Sequence, residues 1–149
     1  MLRFAYILDG TGWATATLGD ATHEIAMTAS YLHDSLRELA HTAVSLRDGD
    51  TVATVVFMDE PGEHHLVLER VGDDLRIQVR WFDDWASRGL YPVDQFDTVL
   101  ETHGTVQEFV AVVTGALDNV LKEWGTKGYK VKWVKHSFPM KKYRLLAVH

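Results

Sequence analysis

The chain contains no cysteine, and only 3 of its 149 residues are proline. Without cysteine it can form no disulfide, and thiolate catalysis and thiolate metal ligation are excluded. This composition suits a reducing compartment, so we predict a cytoplasmic protein. No apolar run approaches the roughly 20 residues of a membrane span, and the apolar start, residues 1–8, is too short for a signal peptide. We therefore expect no membrane association.

Motifs that would indicate an enzyme are also missing. Gly10 and Gly12 follow a predicted strand, but another strand comes next, whereas a phosphate-binding loop leads into a helix. The sequence has neither a Gly-x-Ser-x-Gly elbow nor a His-Glu-x-x-His helix, the patterns of common hydrolases. We therefore predict no catalytic residue and no cofactor, and the sequence does not favour an enzyme.

Charge is divided unevenly along the chain. Residues 1–121 carry 7 basic and 20 acidic side chains, whereas residues 122–149 carry 8 basic side chains, every lysine among them, and one acidic side chain. We predict one domain, 1–149, with a basic C-terminal segment, 122–149. Two interpretations remain open: the basic segment lies against the acidic body, or one or both surfaces bind a partner of opposite charge.

Alternating apolar and polar residues predict three consecutive antiparallel strands at 51–58, 63–70 and 74–82. The turn at 72–73 pairs Leu68 with Ile77, and a turn centred on Pro61 and Gly62 pairs Phe57 with Leu66. Both pairings put the same apolar side chains on one face, where a slip of one residue would expose them to water. The members of this face are Val55, Phe57, Leu66, Leu68, Leu75, Ile77, Val79 and Trp81.

The remaining pattern predicts strands at 3–8, 13–18, 21–28 and 95–102, with an edge strand at 129–133. Ser30 and Thr105 are expected to cap helices over 31–47 and 106–124, and a short helix is expected at 140–148. No repeated parallel crossover is indicated. We therefore predict an α+β fold, with a single antiparallel meander sheet and two main helices packed on one of its faces.

Two segments carry a resemblance to known proteins. Residues 30–49 (SYLHDSLRELAHTAVSLRDG) and 59–70 (DEPGEHHLVLER) resemble a group of small stand-alone bacterial α+β proteins, some of which look like immunity proteins of toxin–immunity systems. The resemblance implies a fold and a type of gene locus, and it transfers no functional residue.

The segment 81–96 interleaves five aromatic residues with acids and an arginine. Aromatic residues and arginine dominate binding hot spots, and acidic neighbours suit a basic partner. We predict a partner-binding loop there; the other interpretation is a loop folded over the core with its aromatic rings inward. The predicted partner-binding residues are Asp83, Asp84, Trp85, Arg88, Tyr91 and Asp94. The favoured function is a non-catalytic protein-binding module, in particular an immunity protein that binds and neutralises a bacterial toxin.

An alternative function uses the hairpin 59–65, where three carboxylates and two imidazoles crowd together. A metal-dependent enzyme or a small-ligand site could be built from such groups. Strand geometry argues against the whole set acting together, because adjacent strand residues point to opposite faces. Only Glu63 and His65 are expected to share a side, and His64 is expected opposite Trp81 at the rim of the core.

A second alternative is nucleic-acid binding through the basic segment, where Tyr129 and Trp133 lie among lysines. Such a mixture can contact phosphates and stack on bases. The acidic body would oppose a nucleic acid, so this function is the less favoured one. The oligomeric state is left open by the sequence.

Overall fold

The computed structural model describes residues 1–148, which form seven strands and three helices. The strands are β1 (Arg3–Leu8), β2 (Trp13–Gly19), β3 (Glu24–Ser30), β4 (Val52–Met58), β5 (Glu63–Val71), β6 (Asp74–Phe82) and β7 (Asp97–Thr105). The helices are α1 (Ser35–Arg47), α2 (Val106–Lys132) and α3 (Met140–Ala147), and a single 3-10 turn covers Ala86–Arg88.

The predicted α+β class with antiparallel strands is confirmed, but the prediction of a single sheet is wrong. Strands β1-β2-β3 form one antiparallel sheet and β4-β5-β6-β7 form a second. Each sheet is a meander, because each strand pairs with its neighbour in the chain. β3 and β4 come close without pairing. The chain joins them through α1, and no turn sets a register between them.

The four-stranded sheet shows how far turn chemistry fixes register. The β5–β6 pairing is the predicted one, with Leu68 opposite Ile77. The β4–β5 pairing is shifted by two residues, so Phe57 lies opposite His64 rather than Leu66. The shift arises because the Asp59 N–H donates to the Gly62 carbonyl, which centres the turn one residue earlier than predicted. The predicted apolar face survives, since a two-residue shift preserves its parity.

The same effect appears in the β2–β3 hairpin. Asp20 accepts hydrogen bonds from the backbone N–H groups of Thr22 and His23, so the turn is longer than predicted and β3 begins at Glu24. Leu18 therefore lies opposite Ile25. His23 is exposed in the turn.

Helix α1 lies at the centre of the molecule. It begins at Ser35, later than predicted, because the Asp34 side chain rather than Ser30 accepts a hydrogen bond from the Arg37 N–H. Eight of its 13 residues are buried, and it packs against β4, α2 and α3. The inward faces of both sheets and of the helices share one core.

Helix α2 starts where predicted, and its regular helical backbone is interrupted at Gly125, directly after the predicted last residue. Thr105 and Glu108 form a reciprocal capping box, which satisfies two N–H groups of the first turn. At Gly125 the backbone takes φ 66° and ψ 178°, which kinks the helix, and the helix then continues to Lys132. Among residues 1–148, no helix combines the length and apolar character needed to cross a membrane, α2 included.

The predicted edge strand at 129–133 is therefore wrong. Its alternating aromatic residues, Tyr129 and Trp133, are also four residues apart, and both are fully buried on one side of a helical turn. The predicted final helix is confirmed as α3. The basic segment thus helps to close the core, although its last residue, His149, lies outside the described residues.

We expect Trp133→Ala to destabilise the fold by about 3–5 kcal/mol, as removal of a fully buried aromatic side chain usually does. The Trp133 indole also donates from Nε1 to Asp34 Oδ1 at 3.2 Å, so the substitution also removes a partner of the α1 cap. Urea unfolding followed by circular dichroism measures the loss. Val131→Ala is the matched control, because Val131 is 72% exposed and should change stability by less than about 0.5 kcal/mol. Equal effects of the two substitutions would contradict the buried placement of Trp133.

Candidate functional site

The charged hairpin 59–65 is built around a buried carboxylate. The Glu63 side chain is fully buried, on the face of β5 that looks away from the core. It accepts hydrogen bonds from His65 Nε2 at 2.5 Å, from the Ser87 N–H at 2.8 Å and from Ser87 Oγ at 2.7 Å. The expectation that Glu63 and His65 share a side is confirmed. Because Ser87 belongs to the segment 83–96, this carboxylate fastens that segment to the sheet.

The protonation state of Glu63 follows from these contacts. Burial alone would raise the pKa of Glu63, but hydrogen bonds from His65 and from Ser87 outweigh burial and lower it below its ordinary value. The Ser87 hydroxyl donates to this carboxylate rather than to an imidazole, so the three side chains do not form a nucleophile–base pair. In the described part of the chain, no three His, Asp or Glu side chains are grouped so as to hold a metal ion.

His64 occupies the opposite side of the same strand, as expected. It lies opposite Trp81, with the two ring centroids 4.7 Å apart, and its Nδ1 has no hydrogen-bond partner among the described residues. Burial lowers the pKa of His64 to about 4, although the Asp59 carboxylate opposes the shift. His64 is therefore a packed neutral imidazole at neutral pH.

The segment 83–96, here called the acidic loop, is fixed at its base by four contacts. Ser87 is held by Glu63, the Trp85 indole donates from Nε1 to the Asp59 carbonyl at 2.8 Å, and Arg88 Nη2 donates to the Leu32 carbonyl at 2.8 Å. The Phe96 ring packs on Phe82. These contacts hold the base of the loop against the four-stranded sheet and against the residues that precede α1.

The six predicted partner-binding residues divide between this base and the loop surface. Asp83 and Asp94 are exposed, whereas Asp84, Trp85 and Tyr91 are half-buried. Arg88 is exposed but directed to Leu32. The Trp85 end of the loop is thus packed and the 89–95 end faces solvent, and the role of these residues in partner binding stays a prediction.

Sequence reasoning missed two exposed apolar residues at the tip. Leu90 is 60% exposed and Val93 is 67% exposed, and Pro92 lies between them. The available signal was their position in an irregular segment after Gly89, where no strand or helix face exists to bury them. They lie on either side of Tyr91 along the chain, and the exposed Asp94 follows Val93.

Beside the tip lies a small socket of about 230 Å³. Its lining combines aromatic rings with carboxylates. The lining residues are Trp81, Asp83, Tyr91, Gln95, Phe96 and Asp97. Trp81 donates from Nε1 to Asp83 Oδ1 at 2.9 Å, which fixes one of the two carboxylates, while Asp97 is exposed. A socket with this lining fits the side chain of a lysine or an arginine, through ion pairing and contact with aromatic faces.

Comparison of the chain with protein-family models, with curated proteins and with solved structures gives no match. The function is therefore inferred from the surfaces of the chain itself.

We expect Glu63→Ala to destabilise the protein by about 1–3 kcal/mol, because the donors of Ser87 and His65 would lose the buried carboxylate that accepts from them. The loop should also detach, so trypsin should cleave after Arg88 faster than in the unaltered protein. Urea unfolding and timed proteolysis measure the two effects.

Glu69→Ala is the control for Glu63→Ala. Glu69 lies on the same strand, but its carboxylate is exposed and pairs only with Arg76, so its loss should cost less than about 1 kcal/mol. If Glu63→Ala leaves the cleavage rate after Arg88 unchanged, the carboxylate does not hold the loop.

The depressed pKa of His64 predicts a pH-dependent stability. The unfolded chain binds a proton at His64 below about pH 6.5, whereas the folded protein does so only near pH 4. Stability should therefore be complete above pH 6.5 and fall as the pH drops towards 4, by on the order of 1–3 kcal/mol. Urea unfolding at a series of pH values measures the slope.

His64→Leu should flatten this part of the stability profile, since it removes the group that titrates. His41→Ala serves as the control, because His41 is exposed on α1 and its removal should leave the slope in place. A slope that persists in His64→Leu would show that another group is responsible.

Proposed function

We propose that this chain is a non-catalytic protein-binding module whose acidic loop and neighbouring socket bind a basic protein, and that it acts as an immunity protein against a bacterial toxin. The observation that carries the proposal is the socket of aromatic rings and carboxylates beside the exposed tip of the loop. It offers the contacts that a lysine or arginine anchor needs, and the exposed side chains of Leu90 and Val93 lie in the same loop, where the rest of such an interface would cover them.

The fixed base of the loop supports this function on energetic grounds. Binding costs less free energy when the contact surface is already ordered. Glu63, Trp85 and Arg88 hold the base, while Leu90 and Val93 stay at the surface. The tip therefore needs little ordering when a partner arrives.

Charge supports the same partner class. Residues 1–121 carry 20 acidic side chains. Asp83 and Asp97 line the socket, and Asp94 is exposed in the loop. A negative surface of this kind accelerates encounter with a basic protein, and anchors buried in a socket slow its release. Fast association and slow release are what the neutralisation of a toxin requires.

The first experiment is co-expression with the product of the neighbouring open reading frame. We expect the two chains to co-purify at low salt, and we expect this protein to restore growth to cells in which the other product is toxic. Co-purification without rescue of growth would leave protein binding standing and remove the immunity role. Recovery of no partner at low salt would contradict both.

The second experiment removes the charge of the socket and keeps its shape. Asp83→Asn together with Asp97→Asn should weaken binding to that partner at least about tenfold, because the carboxylates that pair with a buried cation are lost. Surface plasmon resonance measures the change.

Asp73→Asn together with Asp74→Asn is the matched control. It removes the same charge from exposed residues at the β5–β6 turn, distant in the sheet from the socket. Equal weakening by both double variants would indicate a general effect of net charge and would contradict the role of the socket.

A further inference from the structure

A second surface of the molecule is basic. Between the first turns of α1 and the segment 135–142 lies a cleft of about 480 Å³. Four permanent cations line it, together with one imidazole. They are Arg37, Lys135, His136, Lys141 and Lys142.

The acid in the wall of this cleft is already engaged by the fold. Asp34 accepts hydrogen bonds from Trp133 Nε1 at 3.2 Å and from the Arg37 N–H at 3.4 Å. Its second oxygen lies 3.5 Å from His136 Nδ1. The Asp34 carboxylate is thus directed into the structure and does not pair with the side-chain cations.

A second acid, Glu38, lies in a depression that adjoins the cleft and shares Arg37 and Lys142 with it. Glu38 is engaged as well, because its Oε1 accepts from His33 Nε2 at 2.9 Å and from the Val56 N–H at 2.6 Å. Both carboxylates near the cleft therefore serve the fold rather than the cations.

The cations themselves have no carboxylate partner. Across residues 1–148, no lysine forms an ion pair within 4.0 Å, and Arg37 forms none. The interpretation that the basic segment is neutralised by the acidic body is thus not supported by any direct lysine–carboxylate contact in that range. Four like charges around one concave site repel one another, and a multivalent anion would relieve that repulsion.

His136 gives the cleft a fixed wall. Its Nε2 donates to the Tyr31 carbonyl at 2.8 Å, and Asp34 faces its other nitrogen. The half-buried ring therefore holds the segment 135–137 against residues 31–34, which precede α1. The lysines on either side of it extend from an anchored backbone.

We propose that this cleft binds a small anion with several phosphate groups, of the polyphosphate or nucleoside polyphosphate class. The volume suits a ligand of that size, and the four unpaired cations suit its charge. A long nucleic-acid strand fits less well, because it would leave the cleft across a body rich in carboxylates. The inference does not depend on the acidic loop or on a protein partner.

Isothermal titration calorimetry with tripolyphosphate tests the site directly. We expect one ligand per chain, with binding weakened at least about tenfold in the variant Arg37→Gln, Lys142→Gln, because two charged contacts are lost. The control is Lys127→Gln with Lys130→Gln, which removes the same charge from exposed residues of α2 outside the cleft. Thermal melting of both variants verifies that each is folded.

Three outcomes would overturn the proposal. One is that tripolyphosphate releases no heat with the folded, unaltered protein. Another is that the two double variants weaken tripolyphosphate binding equally, which would reduce the effect to net charge. A short single-stranded oligonucleotide is the third arm. If it binds while tripolyphosphate does not, the cleft is a nucleic-acid surface and not a small-anion site.

Discussion

The burial of α1 on more than one side is the constraint on which the rest of the structure depends. A surface helix usually hides one stripe, but here eight of 13 residues are buried. Ala40 and Ala43 are fully buried, and their small side chains allow neighbouring elements to approach α1 closely. Helix α2 and the chain beyond its kink at Gly125 must therefore fold back over α1. This requirement explains why the basic segment contributes Tyr129 and Trp133 to the core.

The strands β4, β5 and β6 show which features of the fold are determined by the local sequence. The β5–β6 register could be predicted because a two-residue turn leaves one way to pair the strands. The β4–β5 register could not be predicted, because the alternation of apolar and polar residues repeats every two positions and is unchanged by a shift of two residues. Only the turn distinguishes the two pairings, and the bond from Asp59 to Gly62 was not visible in the sequence. The inner face was predicted correctly in both cases, because parity alone decides it.

Two features lay beyond local reasoning for a different reason. The split into two sheets depends on whether β3 and β4 share hydrogen bonds, and no turn connects them. The segment 129–133 alternates like a strand, yet Tyr129 and Trp133 also stand four residues apart, as on one side of a helix. The contacts that decide between the two are distant in sequence, among them the bond from Trp133 to Asp34. Tertiary packing therefore decides between helix and strand at 129–133, which the sequence pattern alone leaves open.

The candidate site illustrates the same division between local and distant contacts. The crowded acids and imidazoles of the hairpin 59–65 resemble a set of reactive groups. In the structure, however, Glu63 accepts a hydrogen bond from Ser87, 24 positions away in the chain. That bond makes the cluster part of the support for the acidic loop, whose exposed tip carries Leu90 and Val93. Near Leu32 in the chain, Asp34 and Glu38 likewise accept hydrogen bonds from groups of the fold. The nearby cations therefore have no carboxylate partner. In both places carboxylates accept hydrogen bonds from the fold, and charged or apolar groups beside them remain open to solvent. The two surfaces that we assign to ligands therefore have one physical origin.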